Sequence, residues 1–226
     1  MNRNHKAFQL WEQGKLNEAI RLLFEEIEEQ TENSDSYCNL ASILILAKKY
    51  EDAQAVLETA LQKYPNHLEL LYTFGNLYYY KNMPEKSLVY FERVFQAEET
   101  SLKNDAAIMI GQCYLMLENP KKALVYLLLA YPENSKDSLL ILLIGDCFMQ
   151  TGHFKEAKGY FEQAVAVTPD NDEAWFKRGV IGMALNESAT TVESFFKTSH
   201  ELNPEAHLKR LQQLQAIEKF IQFQEE

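Results

Sequence analysis

Cysteine is scarce in this chain, with three in 226 residues. Cys38, Cys113 and Cys147 show no C-x-x-C spacing, and an odd set cannot pair completely. This excludes a disulfide framework and a thiolate zinc cluster. The three read as reduced core or groove thiols in a cytoplasmic protein. Glycine (8) and proline (6) are also few, and no glycine-rich phosphate loop is present. The five histidines form no H-x-x-x-H or H-E-x-x-H pattern, so no metal is expected. His200 and His207 have Pro204 between them and are not expected to share a helix face. No G-x-S-x-G elbow is present, so no nucleophile of that kind is expected.

Long apolar runs are missing too. Leu139 to Gly145 is the most apolar stretch and is too short to span a bilayer. No apolar run follows Met1 to Lys6, so no signal peptide is expected. Cations are outnumbered: 22 Lys and Arg face 33 Asp and Glu, a net charge of −11. That disfavours an electrostatic grip on nucleic acid or on an anionic membrane. Part of the acidic excess gathers at Glu25, Glu26, Glu28, Glu29 and Glu32. It reads as a solvated outer helix face; the other reading is a docking patch for a basic partner.

What the chain does have is a period. Ala19, Ala53, Ser87, Ala123 and Ala157 follow short polar turns, in steps of 34, 34, 36 and 34. Four residues after each comes a large apolar residue: Leu23, Leu57, Phe91, Leu127, Phe161. A helix pair of that length cannot bury its apolar face alone, so neighbouring pairs must stack. The expected fold is an all-α solenoid. Within one period, Tyr37, Leu40, Ala41 and Leu44 recur at helical spacing, Lys48-Lys49 makes a turn, and Tyr50, Ala53, Leu57, Ala60 and Leu61 form a second helix. Ser34 or Asp35 can cap the first helix, and Pro65 ends the second. Pro84 and Pro120 suit the first position of a second helix. Gly75, Gly111 and Gly145 follow the period, which points to helix packing.

The order Tyr37–Leu40–Ala41–Leu44–Ala53–Leu57–Ala60–Pro65 resembles the tetratricopeptide repeat. Ile144, Gly145, Phe148, Gly152, Phe154, Ala157, Phe161, Ala164 and Pro169 resemble it equally well. Six copies are expected, at about 2–33, 34–67, 68–101, 104–136, 137–171 and 172–204, so that 1–204 is the repeat array. The sixth copy has a turn, Asn186 to Thr190, one residue longer than the others. Residues 205–226 then form a capping helix. Leu208, Leu211, Phe220 and Phe223 on that helix are candidates for self-association, as in a homodimer. The layout is similar to small cytosolic bacterial proteins built of six such repeats.

The resemblance implies a right-handed superhelix whose first helices line a concave groove. It assigns to that groove Asn39, Ser42, Tyr72, Asn76, Tyr79, Tyr80, Ile108, Met109, Gln112, Met116, Asp146, Met149, Phe176, Lys177 and Met183. Asn76, Gln112 and Asp146 hold one position in successive repeats and could bond an extended peptide backbone. The clamp that some family members use for a C-terminal carboxylate needs Lys and Asn, then Asn, then Lys and Arg on three successive first helices, where this chain has Cys38 and Ser42, then Thr73, then Asp105 and Met109. It is not expected here. The resemblance thus implies a non-catalytic scaffold, adaptor or chaperone-like protein, without cofactor, that binds a protein or peptide segment through apolar side chains. A self-associating solenoid and a peptide-responsive regulator are the alternatives.

Overall fold

The computed structural model describes residues 3–29, 34–98 and 100–225, with side chains placed up to Leu214. Thr31 and Glu32 lie outside the described residues, as do the side chains of Phe220 and Phe223. The described residues hold thirteen helices and no strand. They divide into two compact units, Met1–Glu118 and Asn119–Glu226.

The first unit contains α1 (Arg3–Glu12), α2 (Leu16–Glu29), α3 (Ser34–Leu46), α4 (Tyr50–Lys63), α5 (Leu68–Tyr80), α6 (Pro84–Phe95) and α7 (Lys103–Met116). Helices pair as α1 with α2, α3 with α4 and α5 with α6. Each second helix also packs on the first helix of the next pair, and α7 continues the stack on α6. The second unit contains α8 (Pro120–Ala130), α9 (Ser138–Gln150), α10 (Phe154–Val167), α11 (Asp172–Ala184), α12 (Ala189–Leu202) and α13 (Pro204–Glu225). There α9 pairs with α10 and α11 with α12, while α13 packs on both α11 and α12.

The turns recur as regularly as the helices. Gly14, Lys48, Asn82, Glu118, Gly152 and Asn186 all have a left-handed backbone, with φ between 53° and 80°. Five of the first helices close in the same way: the N–H one residue beyond the left-handed position reaches back five residues, as from Lys49 to the Leu44 carbonyl at 2.8 Å. This is a Schellman closure, which satisfies orphan carbonyls and reverses the chain. The second helix then starts on Pro84 or Pro120, or after the Ser188 side chain, which accepts from the Thr191 N–H. From Asn186 to α12 the link is one residue longer than from Gly152 to α10, as the sequence indicates. Ser34 begins α3, and its hydroxyl contacts His67 Nε2 at 2.8 Å.

The periodic positions form the core. Ala19, Ala53, Ser87, Ala123 and Ala157, with their partners Leu23, Leu57, Phe91, Leu127 and Phe161, are all fully buried. Ser87 takes the alanine position because its hydroxyl donates to the Gly75 carbonyl at 2.7 Å. Glycine serves where a large ring must approach a helix backbone. A Cβ on Gly75, Gly145 or Gly179 would lie 2.5, 2.5 or 2.8 Å from the rings of Phe91, Phe161 or Phe196.

One expectation changes. The acidic run of α2 is not one solvated face. Glu26, three residues after Leu23 on the inward side, is 6% exposed and meets Arg3 at 3.2 Å. Glu29 also pairs with Arg3, at 2.5 Å. As expected, His200 and His207 share no helix face: they lie on different helices, and the corner between α12 and α13 brings their rings to 5.4 Å.

Gly145→Ala is expected to cost about 1–3 kcal/mol, because the Phe161 ring has little room to retreat; urea denaturation measures it. His207 packs between Phe176 and Phe196, and its Nδ1 is 3.1 Å from Ser199 Oγ. Burial pulls its pKa below the ordinary histidine value, with His200 and Arg210 adding to the effect and Asp172 opposing it. The stability this neutral ring contributes is complete above the ordinary histidine pKa and is lost as pH falls through the lowered one. The thermal midpoint should therefore drop between about pH 7.5 and about pH 5, with a shallower slope in His207→Gln.

Candidate binding surface

In the first unit the candidate residues occupy one register of the first helices. Asn39 and Ser42 are half-buried on α3, and Tyr72, Asn76 and Tyr79 are half-buried on α5. Tyr80 is 53% exposed and meets the Tyr79 ring edge-on at 5.7 Å. Ile108, Met109, Gln112 and Met116 are half-buried along α7. Helical spacing of three and four residues accounts for this: the intervening Leu71, Phe74, Ala107 and Ile110 point into the core. The result is a tyrosine, isoleucine and methionine surface with carboxamides at Asn76 and Gln112.

Tyr72 is the most embedded of these tyrosines, its ring edge-on to Phe91 at 5.2 Å. Burial, aided by Asp105, pushes its phenol up to about 12. Burial also raises Tyr79. Both phenols stay protonated at neutral pH and remain hydrogen-bond donors. Cys38, Cys113 and Cys147 are free, with burial pushing their pKa values to about 12, 11 and 12. Such thiols are poor nucleophiles at neutral pH.

The second unit presents a different chemistry. Met149 is half-buried on α9, and Met183 is 46% exposed at the end of α11. Phe176, by contrast, is 6% exposed and packs against Phe196 and His207. Its ring belongs to the interior, because α13 and its His207 cover the position. Lys177 donates to Asp146 Oδ2 and also pairs with Glu173 Oε1, both at 2.6 Å. Burial pulls the Lys177 pKa down, but Asp146 and Glu173 together outweigh it and leave the ammonium firmly charged. Asp146 lies above the ordinary carboxylate value, since burial, with Glu173 adding to it, outweighs Lys177; its buried Oδ1 has no hydrogen-bond partner. Asp146 is therefore committed to an internal pair rather than to a polar row.

Sequence reasoning missed Arg178. It is 5% exposed, joined to Glu162 at 3.0 Å and Glu187 at 2.9 Å, and its guanidinium lies 4.4 Å from the Phe195 ring centroid. Lys158 completes the cluster on Glu187 at 2.7 Å. Its partners come from α10 and the α11–α12 turn, which no local spacing relates. Leu208 is 50% exposed on α13, while Leu211 is half-buried. Among the described residues no cluster of three metal-binding side chains occurs, and no helix is long and apolar enough to cross a membrane.

These stacked helix pairs, with a half-exposed surface along their first helices, define a helical repeat scaffold. The tetratricopeptide repeat family model matches residues 10–74, 44–98 and 142–190, and the chain belongs to that family. No curated protein matches it. Among solved structures it is similar to YrrB, described as a TPR protein with an unusual peptide-binding site. Identity is 26%, the alignment covers 83% of this chain and 97% of that one, and the TM-score is 0.66. It is also similar in fold to PilW, a type IV pilus biogenesis factor (17% identity, 92% and 96% covered, TM-score 0.81). A third similar fold is that of pilF from Pseudomonas aeruginosa (15%, 93% and 95%, 0.80).

Removing one partner of the Lys177–Asp146 pair should cost more than removing both. Lys177→Met strands the Asp146 carboxylate and is expected to cost about 1–3 kcal/mol. Adding Asp146→Leu should recover most of that loss in urea denaturation at neutral pH.

Proposed function

We propose that the chain is a non-catalytic adaptor that holds a segment of a partner protein along the first helices of its repeats. The supporting observation is the Tyr79–Tyr80 pair on α5 together with Ile108, Met109 and Met116 on α7, large side chains not fully buried on first helices of one unit. Tyrosine contributes wide contact area at modest entropic cost, and methionine adapts to the shape of its ligand. The preformed frame limits the ordering cost on the receptor side. The peptide-binding site named for YrrB, a related repeat protein, agrees with this reading.

The bound segment carries apolar side chains, and its backbone meets the carboxamides of Asn76 and Gln112. Membership in a family of repeat scaffolds and the absence of a catalytic motif in the sequence favour binding over chemistry. Self-association is a second reading, favoured by exposed Leu208 on α13.

A tagged parent and a Tyr79→Ala, Tyr80→Ala, Met109→Ala variant, both used to capture proteins from the native cell extract, test the proposal. A small set of proteins held by the parent should be lost from the variant. Each central side chain is expected to contribute about 1–2 kcal/mol, so affinity for a captured partner should fall at least tenfold. Identical captures would remove the surface from consideration. Sedimentation of parent and Leu208→Gln separates the second reading: a dimer that becomes a monomer supports self-association.

A further inference from the structure

The helix that follows the last repeat is held by an anchor that can change its charge. Among the described side chains of α13, His207 alone is buried, at 7% exposed. Ala206, Arg210, Leu211 and Leu214 are half-buried, and Leu208 is exposed. The second helices within the stack are anchored otherwise, α4 by Ala53, Leu57 and Ala60 and α10 by Ala157, Phe161 and Ala164. Those side chains never ionise. A histidine does so within the physiological range.

The register of the repeats shows what α13 covers. Phe176 holds the position of Tyr72, and Phe196, beyond the longer turn, that of Phe91. The two pairs have matching geometry, with centroids 5.2 Å apart for Tyr72 and Phe91 and 5.3 Å for Phe176 and Phe196. Tyr72 is nevertheless half-buried, whereas Phe176 is buried. The His207 ring closes over it, edge-on to Phe176 at 5.4 Å and to Phe196 at 6.0 Å.

Every helix packed around that ring sets its charge. From α12 come the His200 ring at 5.4 Å and the Ser199 hydroxyl, 3.1 Å from Nδ1. From α13 itself comes Arg210, which with burial and His200 disfavours a proton on His207. From α11 comes Asp172, which favours one. Asp172 and its neighbour Glu173 are both engaged by Arg210, and Glu173 also by Lys177. Docked, the ring is held neutral between two phenylalanines; undocked, it meets water and takes a proton at the ordinary histidine value.

We propose that α13 is an acid-released latch: protonation of His207 frees the helix from α11 and α12 and bares Phe176 on the first-helix side of the last repeat. Opening takes up a proton, so falling pH favours it. The open fraction rises up to about tenfold per pH unit between the ordinary histidine value and the lowered one, and levels off below. The latch lies in the second unit and uses none of the tyrosine and methionine residues offered for partner binding in the first.

Hydrogen exchange of the full chain at about pH 7.5 and about pH 5.5, corrected for the intrinsic rate of each amide, tests the latch. Amides of residues 207–214 should lose protection about tenfold, while those of α9 and α10 change less than about twofold. His207→Phe keeps a ring on Phe176 with no proton to gain, and His207→Gln keeps a hydrogen-bonding group beside Ser199. Both should abolish the loss. Each variant is compared with itself at the two pH values, so one that docks α13 less firmly still answers. Protection in α13 that is equal at both pH values in the parent would overturn the inference, as would a loss that both variants retain. A parallel loss in α9 and α10 would also overturn it, by making acid act on the whole unit rather than on one helix.

Discussion

The structure depends on how closely two helices of a pair can approach. Phe91 and Phe161 press their rings onto the Gly75 and Gly145 backbones, and Ala53 lets α4 settle against α3. A glycine or alanine opposite a large ring lets the ring sit against the partner helix backbone, where a larger side chain would clash. The pair still has an uncovered apolar face, which the next pair must close. Every other feature follows from that requirement, including the length of the period and the left-handed residue that reverses the chain within a few residues.

The two units meet the same requirement with different chemistry. In the first, aromatic stacking on Phe74 and hydrogen bonding by Ser87 fill the seams. In the second, a buried guanidinium, Arg178, joins α11 to α10 and to the turn before α12, and Lys177 joins α11 to α9. Buried ions are weak sources of stability but costly to leave unpaired, so they specify one arrangement more than they strengthen it. The capping helix adds a neutral histidine among aromatic rings.

On the proposed reading, binding capacity arises where the repeats differ from each other. A side chain that packs in every copy is scaffold; one that is large and half-exposed, as Tyr79 and Met109 are, is free to meet a ligand.

The period, the helix pairs, the proline starts and the small residues facing large ones were legible in the sequence, because each follows from local geometry and from spacing along one helix. The one-residue-longer turn at Asn186 was legible for the same reason. Tertiary structure decided what depends on contacts between distant segments. It placed Phe176 inside, under His207, and turned Glu26 toward Arg3. It committed Asp146 to Lys177 and gathered Glu162, Glu187 and Lys158 around Arg178. A helical period states which face of a helix is buried. Only the packed neighbour determines which side chain on the margin of that face stays available to a partner.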